Sequence, residues 1–130
     1  MNINATVVEI DQSNPDVIMA AFADMEAEEE NFLVLQRPIG FKDSNYYIEI
    51  NDQSCASYGG IKAVVLKRNT LEVILERSLH QHLMEEGLPL ESDTDTVVVH
   101  FNIDNELLGQ LQTQLEQIFQ GFECFSAHLD

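Results

Sequence analysis

Between Leu107 and Phe122 the apolar residues Leu107, Leu108, Leu111, Leu115, Ile118, Phe119 and Phe122 form one unbroken stripe with the 3.6-residue period of an α-helix. No other feature constrains the fold as tightly, because a stripe this long has to be buried against a second layer. The spacing predicts a helix from Asn105 to about Gln120, capped by Asp104 and closed by Gly121. Ile103 and Leu108 lie at the separation of a hydrophobic staple.

The second layer is upstream, where the period falls to two or the apolar runs shorten to strand length. Strands are predicted at Asn2–Ile10, Val17–Ala23, Phe32–Gln36, Tyr46–Asn51, Ile61–Lys67, Leu71–Glu76 and Thr96–Phe101. In the fourth, Tyr46, Ile48 and Ile50 share one face, and Tyr47, Glu49 and Asn51 the other. The fifth and sixth read as a hairpin turning at Arg68–Thr70, where Asn69 suits a left-handed conformation. Its second strand sets Leu71, Val73 and Leu75 inward, with Glu72 and Glu76 flanking Ile74 on the other face. A shorter helix is predicted from Ser78 to Glu86, ending at Gly87. The fold class is therefore α+β: a mostly antiparallel β-sheet with the long C-terminal amphipathic helix packed on one face, and one shorter helix. With 130 residues, 45% of them hydrophobic, and neither a repeat nor a Pro/Gly/Ser-rich linker, the expectation is a single domain over 1–130.

Charge narrows the function. Twenty-three acids against six bases leave a formal net charge of −17. Nucleic acid is excluded as a direct ligand, because its non-specific affinity comes from Lys and Arg displacing condensed cations. An anionic membrane surface repels the chain for the same reason. The charges are also segregated. All six bases (Arg37, Lys42, Lys62, Lys67, Arg68, Arg77) fall between residues 37 and 77, a stretch with net +1, while residues 1–36 carry −8 and residues 78–130 carry −10. Apolar patterning continues through both acidic flanks, so neither is a disordered tail. Only Asp24–Glu30 reads as a charge run. No basic segment precedes Arg37, so a signal peptide is not expected, and the longest apolar run, Val17–Ala23, is about a third of a bilayer span. Cys55 and Cys124 stand far apart without a paired motif and are expected as reduced thiols.

Catalytic and metal-binding patterns do not emerge. His80 and His82 are two apart on a predicted helix, so they project about 200° from one another and cannot grip one ion. Adding His100, His128 and the cysteines gives no zinc-ligand spacing. Glu72 and Glu76 share an outward strand face, where solvated carboxylates belong, and Ser54–Ser57 has no matching histidine motif. Gly59-Gly60 precedes a strand, whereas a phosphate loop follows one and opens a helix. No cofactor and no enzymatic activity are expected. What remains is an acidic surface, explained either by solubility alone or by a basic protein partner, whose encounter opposite charge accelerates.

The block from Phe32 to Arg37, the segment Asn45-Tyr46-Tyr47-Ile48-Glu49-Ile50-Asn51-Asp52-Gln53, then Gly59-Gly60-Ile61 and Leu71–Leu75 resemble family ten of the immunity proteins from bacterial polymorphic toxin systems. The signature is Tyr-x-Glu-x-Asn-Asp-Gln, Tyr47 to Gln53, and the resemblance covers roughly residues 30–120, leaving the N-terminal thirty outside. It implies a cytoplasmic protein that binds and neutralises a cognate toxin domain, and it brings no catalytic residues. The alternative reading is a small acidic secretion chaperone binding an effector protein. Nothing in the sequence indicates a homo-oligomer. Tyrosines beside acids make the expected contact set: Tyr47, Glu49, Asp52 and Tyr58, since tyrosine is enriched at interface hot spots. Glu28, Glu29 and Glu30, a run that would ordinarily be merely solvated, are expected mainly to steer encounter.

Overall fold

The computed structural model describes residues 1–11, 13–28, 30–40 and 44–129. Ten strands form in the order β1 (Asn2–Asn4), β2 (Val7–Asp11), β3 (Val17–Asp24), β4 (Asn31–Pro38), β5 (Tyr47–Ile50), β6 (Asp52–Tyr58), β7 (Ile61–Lys67), β8 (Thr70–Leu75), then β9 (Thr96–His100) and β10 (Phe125–His128). Helix α1 (Arg77–Glu85) follows β8, and α2 (Asn105–Ile118) follows β9. The α+β class holds, with the strands divided between two five-stranded sheets. The first has the order β1-β9-β8-β7-β10 and the second β2-β3-β4-β5-β6. The second sheet is an antiparallel meander, whereas β1 and β10 join the edges of the first in parallel to β9 and β7.

The chain changes sheet at two places. Asn2–Ile10, expected as one strand, is broken at Ala5–Thr6: Ala5 N–H donates to the carbonyl of His100 at 2.8 Å, while Thr6 N–H donates to that of Ala23 at 2.9 Å. Neighbouring residues thus serve different sheets, and no continuous strand can span them. The return crossing is Gly59-Gly60, both at positive φ (79° and 92°). A Cβ on Gly60 would lie 2.9 Å from Leu79 Cδ2, so glycine here lets α1 close onto the crossing.

One hydrophobic cluster runs between the sheets and takes in both helices. From the second sheet come Ala20, Phe22, Leu33, Leu35, Ile48 and Ile50, and from the first Ile3, Val64, Leu66, Leu71, Val73, Leu75, Val97 and Val99. The α2 stripe completes the cluster: Leu108, Leu111, Leu115, Ile118 and Phe119 are buried, and Leu107 and Phe122 half-buried. Asp104 caps α2 as expected, its carboxylate accepting Leu107 N–H at 2.8 Å. At the other end the Arg37 guanidinium donates to the carbonyls of Ile118 and Gln120 and lies 5.1 Å from the Phe122 ring centre. A cation there satisfies orphan carbonyls and complements the helix dipole. Gln114 sits on the apolar face at 0% exposure, and its Nε2 donates to the carbonyls of Asp11 and Met19, both at 3.0 Å. These two bonds tie the helix to β2 and β3.

Three local expectations are corrected. Asn51, not Asn69, is the non-glycine residue at positive φ among the described residues (66°). It occupies the tight β5–β6 turn, where Asn tolerates the left-handed region. Glu76 does not share a strand face with Glu72; it is the N-cap residue of α1. β6 and β10 add strands where none was predicted.

Candidate protein-binding face

The inner positions of the second sheet are filled by core, so alternation sends the remaining side chains to its outer face. Cross-strand register arranges these in rows. One row runs Asp11, Met19, Gln36, Tyr47, Tyr58; the next Glu9, Ala21, Val34, Glu49, Ala56; the third Val7, Ala23, Phe32. The centre is apolar, from Met19, Ala21, Ala23, Phe32 and Val34. Carboxylates of Glu9 and Asp11 stand at the β2 margin, and that of Glu49 near the β6 margin.

Tyr47, Glu49 and Tyr58 are brought together at that margin. Ile48 and Ile50 are 1% and 0% exposed, so Tyr47 and Glu49 between and beside them face outward. Tyr47 Oη donates to Glu49 Oε1 at 2.6 Å. Tyr47 lies directly opposite Tyr58 across the β5–β6 pair, and their ring centres are 5.1 Å apart at a 55° tilt. Tyr58 is 68% exposed. The bond to the Glu49 carboxylate, which favours the protonated phenol, together with partial burial pushes Tyr47 up to about 12. By contrast Tyr46 is buried in the core, its hydroxyl accepting Ile61 N–H at 2.9 Å, and is raised chiefly by desolvation.

Asp52 is exposed but does not join this cluster. It follows Asn51 in the β5–β6 turn, and Asn51 is bound to β4: its Oδ1 accepts Phe32 N–H at 2.8 Å and its Nδ2 donates to Asn31 Oδ1 at 2.9 Å. Asp52 therefore stands at the same end of the sheet as the β3–β4 turn, the segment that carries the acidic run. Glu28 and Glu30 are exposed there; Glu29 lies outside the described residues. Glu9 and Asp11 were not singled out from the sequence, although their alternation with Val8 and Ile10 was a usable signal.

The described bases are placed elsewhere. Arg37 points inward to the end of α2, Lys62, Lys67 and Arg68 belong to β7 and its turn, and Arg77 opens α1. Lys67 Nζ pairs with Glu72 Oε1 at 3.2 Å on the first sheet. Lys42 lies outside the described residues, and among those described no Lys or Arg occupies the outer rows of the second sheet. Both cysteines are free, Cys55 buried and Cys124 half-buried, and burial pushes the Cys124 thiol up. No helix among the described residues is long and apolar enough to cross a membrane.

These features describe an acidic two-sheet protein with a preorganised aromatic and carboxylate cluster on an open face. The family model for immunity protein 10 matches residues 3–106, most of the chain, and the protein belongs to that family. No curated protein and no solved structure matches the chain. The match differs in extent from the resemblance read in the sequence. It starts within β1, takes in β2, β3 and the acidic run, and stops at Glu106, so all but the first two residues of α2 are beyond it.

Proposed function

We propose that this immunity protein binds a cognate toxin domain of a polymorphic toxin system in the cytoplasm and neutralises it by stoichiometric contact, without catalysis of its own. The outer face of the second sheet is the contact surface. Tyr47, Glu49 and Tyr58 form its anchor, Asp52 lies at its rim, and Glu28 to Glu30 steer encounter. The observation that carries this placement is the Tyr47–Glu49–Tyr58 cluster, already ordered by a hydrogen bond and a ring contact, on a face bearing acids and no base among the described residues. Aromatic anchors beside an apolar centre with a charged margin are the usual make-up of an interface core and rim. The absence of bases there favours a basic partner surface.

Titration of the purified protein into the active cognate toxin tests the reading. Activity should fall linearly to zero at one equivalent, and the inhibitor should be recovered unchanged. Inhibition at far below one equivalent would mean turnover and would overturn the non-catalytic reading. The chaperone alternative draws no support from the family.

A further inference from the structure

We infer that the Tyr47–Glu49–Tyr58 cluster is a receptor for a single arginine side chain of the partner protein. The inference takes the outer face as the docking surface and so rests on the function proposed above. Three observations point to a guanidinium. First, among the described residues Glu49 has no cationic partner of its own; Lys67–Glu72 is the ion pair formed there. Among the described residues the charge of Glu49 is thus uncompensated. Second, one carboxylate oxygen is held by Tyr47 Oη at 2.6 Å, which fixes the direction of the carboxylate before anything binds. Third, Tyr58 presents an open ring beside it, braced against Tyr47 at 5.1 Å.

A planar cation with several donors in a fixed fork uses all three features. It can donate to the free lone pairs of Glu49 while its face lies on the Tyr58 ring. An ammonium is a compact, strongly hydrated point charge that gains the Coulomb attraction but not the planar stacking. Among the described residues the paired tyrosine rings stand beside Glu49 and not beside Glu9, Asp11 or the acidic turn. The preference for guanidinium should therefore be local to Glu49.

The experiment needs no toxin. Acetyl-arginine amide and acetyl-lysine amide are titrated separately into the intact isotope-labelled protein at constant ionic strength, and backbone and side-chain NMR shifts are followed. Saturable shifts at Tyr47, Glu49 and Tyr58 are expected with the arginine probe. The lysine probe, Glu49→Gln and Tyr58→Leu should each weaken that binding by about five- to tenfold, the range expected when a charged hydrogen bond or its stacking partner is lost. Glu49→Gln retains an oxygen for Tyr47, and Tyr58 is exposed, so at least one variant keeps the fold for comparison. Equal shifts with both probes spread along the acidic turn, untouched by either substitution, would overturn the inference. If arginine binds here while the cognate toxin is not inhibited, the proposed function fails and the receptor stands. If the toxin is inhibited but arginine does not bind at this cluster, the reverse holds.

Discussion

Tyr47 turns a local hydrogen bond into a measurable titration. Its ordinary value is near 10 and the Glu49 carboxylate holds it at about 12. Between those two pH values the folded chain keeps a proton that the unfolded chain has released. The stabilisation from neutral Tyr47 is therefore fully present below pH 10 and is lost as pH rises toward about 12. Tyr46, raised by burial, adds to the same alkaline loss. Replacing Tyr47 with Phe should lower stability near neutral pH, where the bond to Glu49 is intact, and make the decline above pH 10 shallower, as read from denaturant midpoints across that range. An unchanged decline in the variant would show that the Tyr47–Glu49 bond is not formed in solution.

At the level of elements, α2 is the strongest lever. Leu111 is fully buried in it, and Leu111→Ala should lower unfolding free energy by about 2–5 kcal/mol. A loss below about half a kcal/mol in equilibrium unfolding would mean the stripe is not core. The same helix was the most legible part of the sequence, because a 3.6-residue period, a capping Asp104 and a closing Gly121 are all local signals. β5 was legible for a similar reason: the alternation of Tyr46, Ile48 and Ile50 against Tyr47 and Glu49 gave the correct outward pair. The missed elements lack such signals. β6 contributes one buried residue, Cys55, to the hydrophobic core and is otherwise polar or small, so no apolar period marks it. β10 is four residues long and exists through parallel pairing with β7, about sixty positions away. The division at Ala5–Thr6 was hidden because Asn2–Ile10 is equally strand-like on both sides of it. The site was half legible. The Tyr47–Glu49 pair followed from alternation, but its union with Tyr58, and the placing of Asp52 with the acidic turn instead, depend on cross-strand register.

Over the whole molecule the uneven charge sets two behaviours. At −17 the free chain is compacted against its own repulsion, so moderate salt should raise its melting temperature; a fall would contradict this. The described bases other than Arg37 lie on the first sheet, its turn and α1, away from the face with Tyr47, Glu49 and Tyr58. That separation should orient an approaching basic partner before contact. The central claim, that this face holds the toxin, is tested most directly by association and dissociation rates against the cognate toxin. Neutralising Glu28, Glu29 and Glu30 together should slow association and leave dissociation nearly unchanged, because rim charges act chiefly on encounter. Tyr58→Ala should instead speed dissociation by about tenfold or more, as loss of an interface anchor does. Dissociation rates unaltered in Tyr47, Glu49, Asp52 and Tyr58 variants alike would place the interface elsewhere and contradict the account.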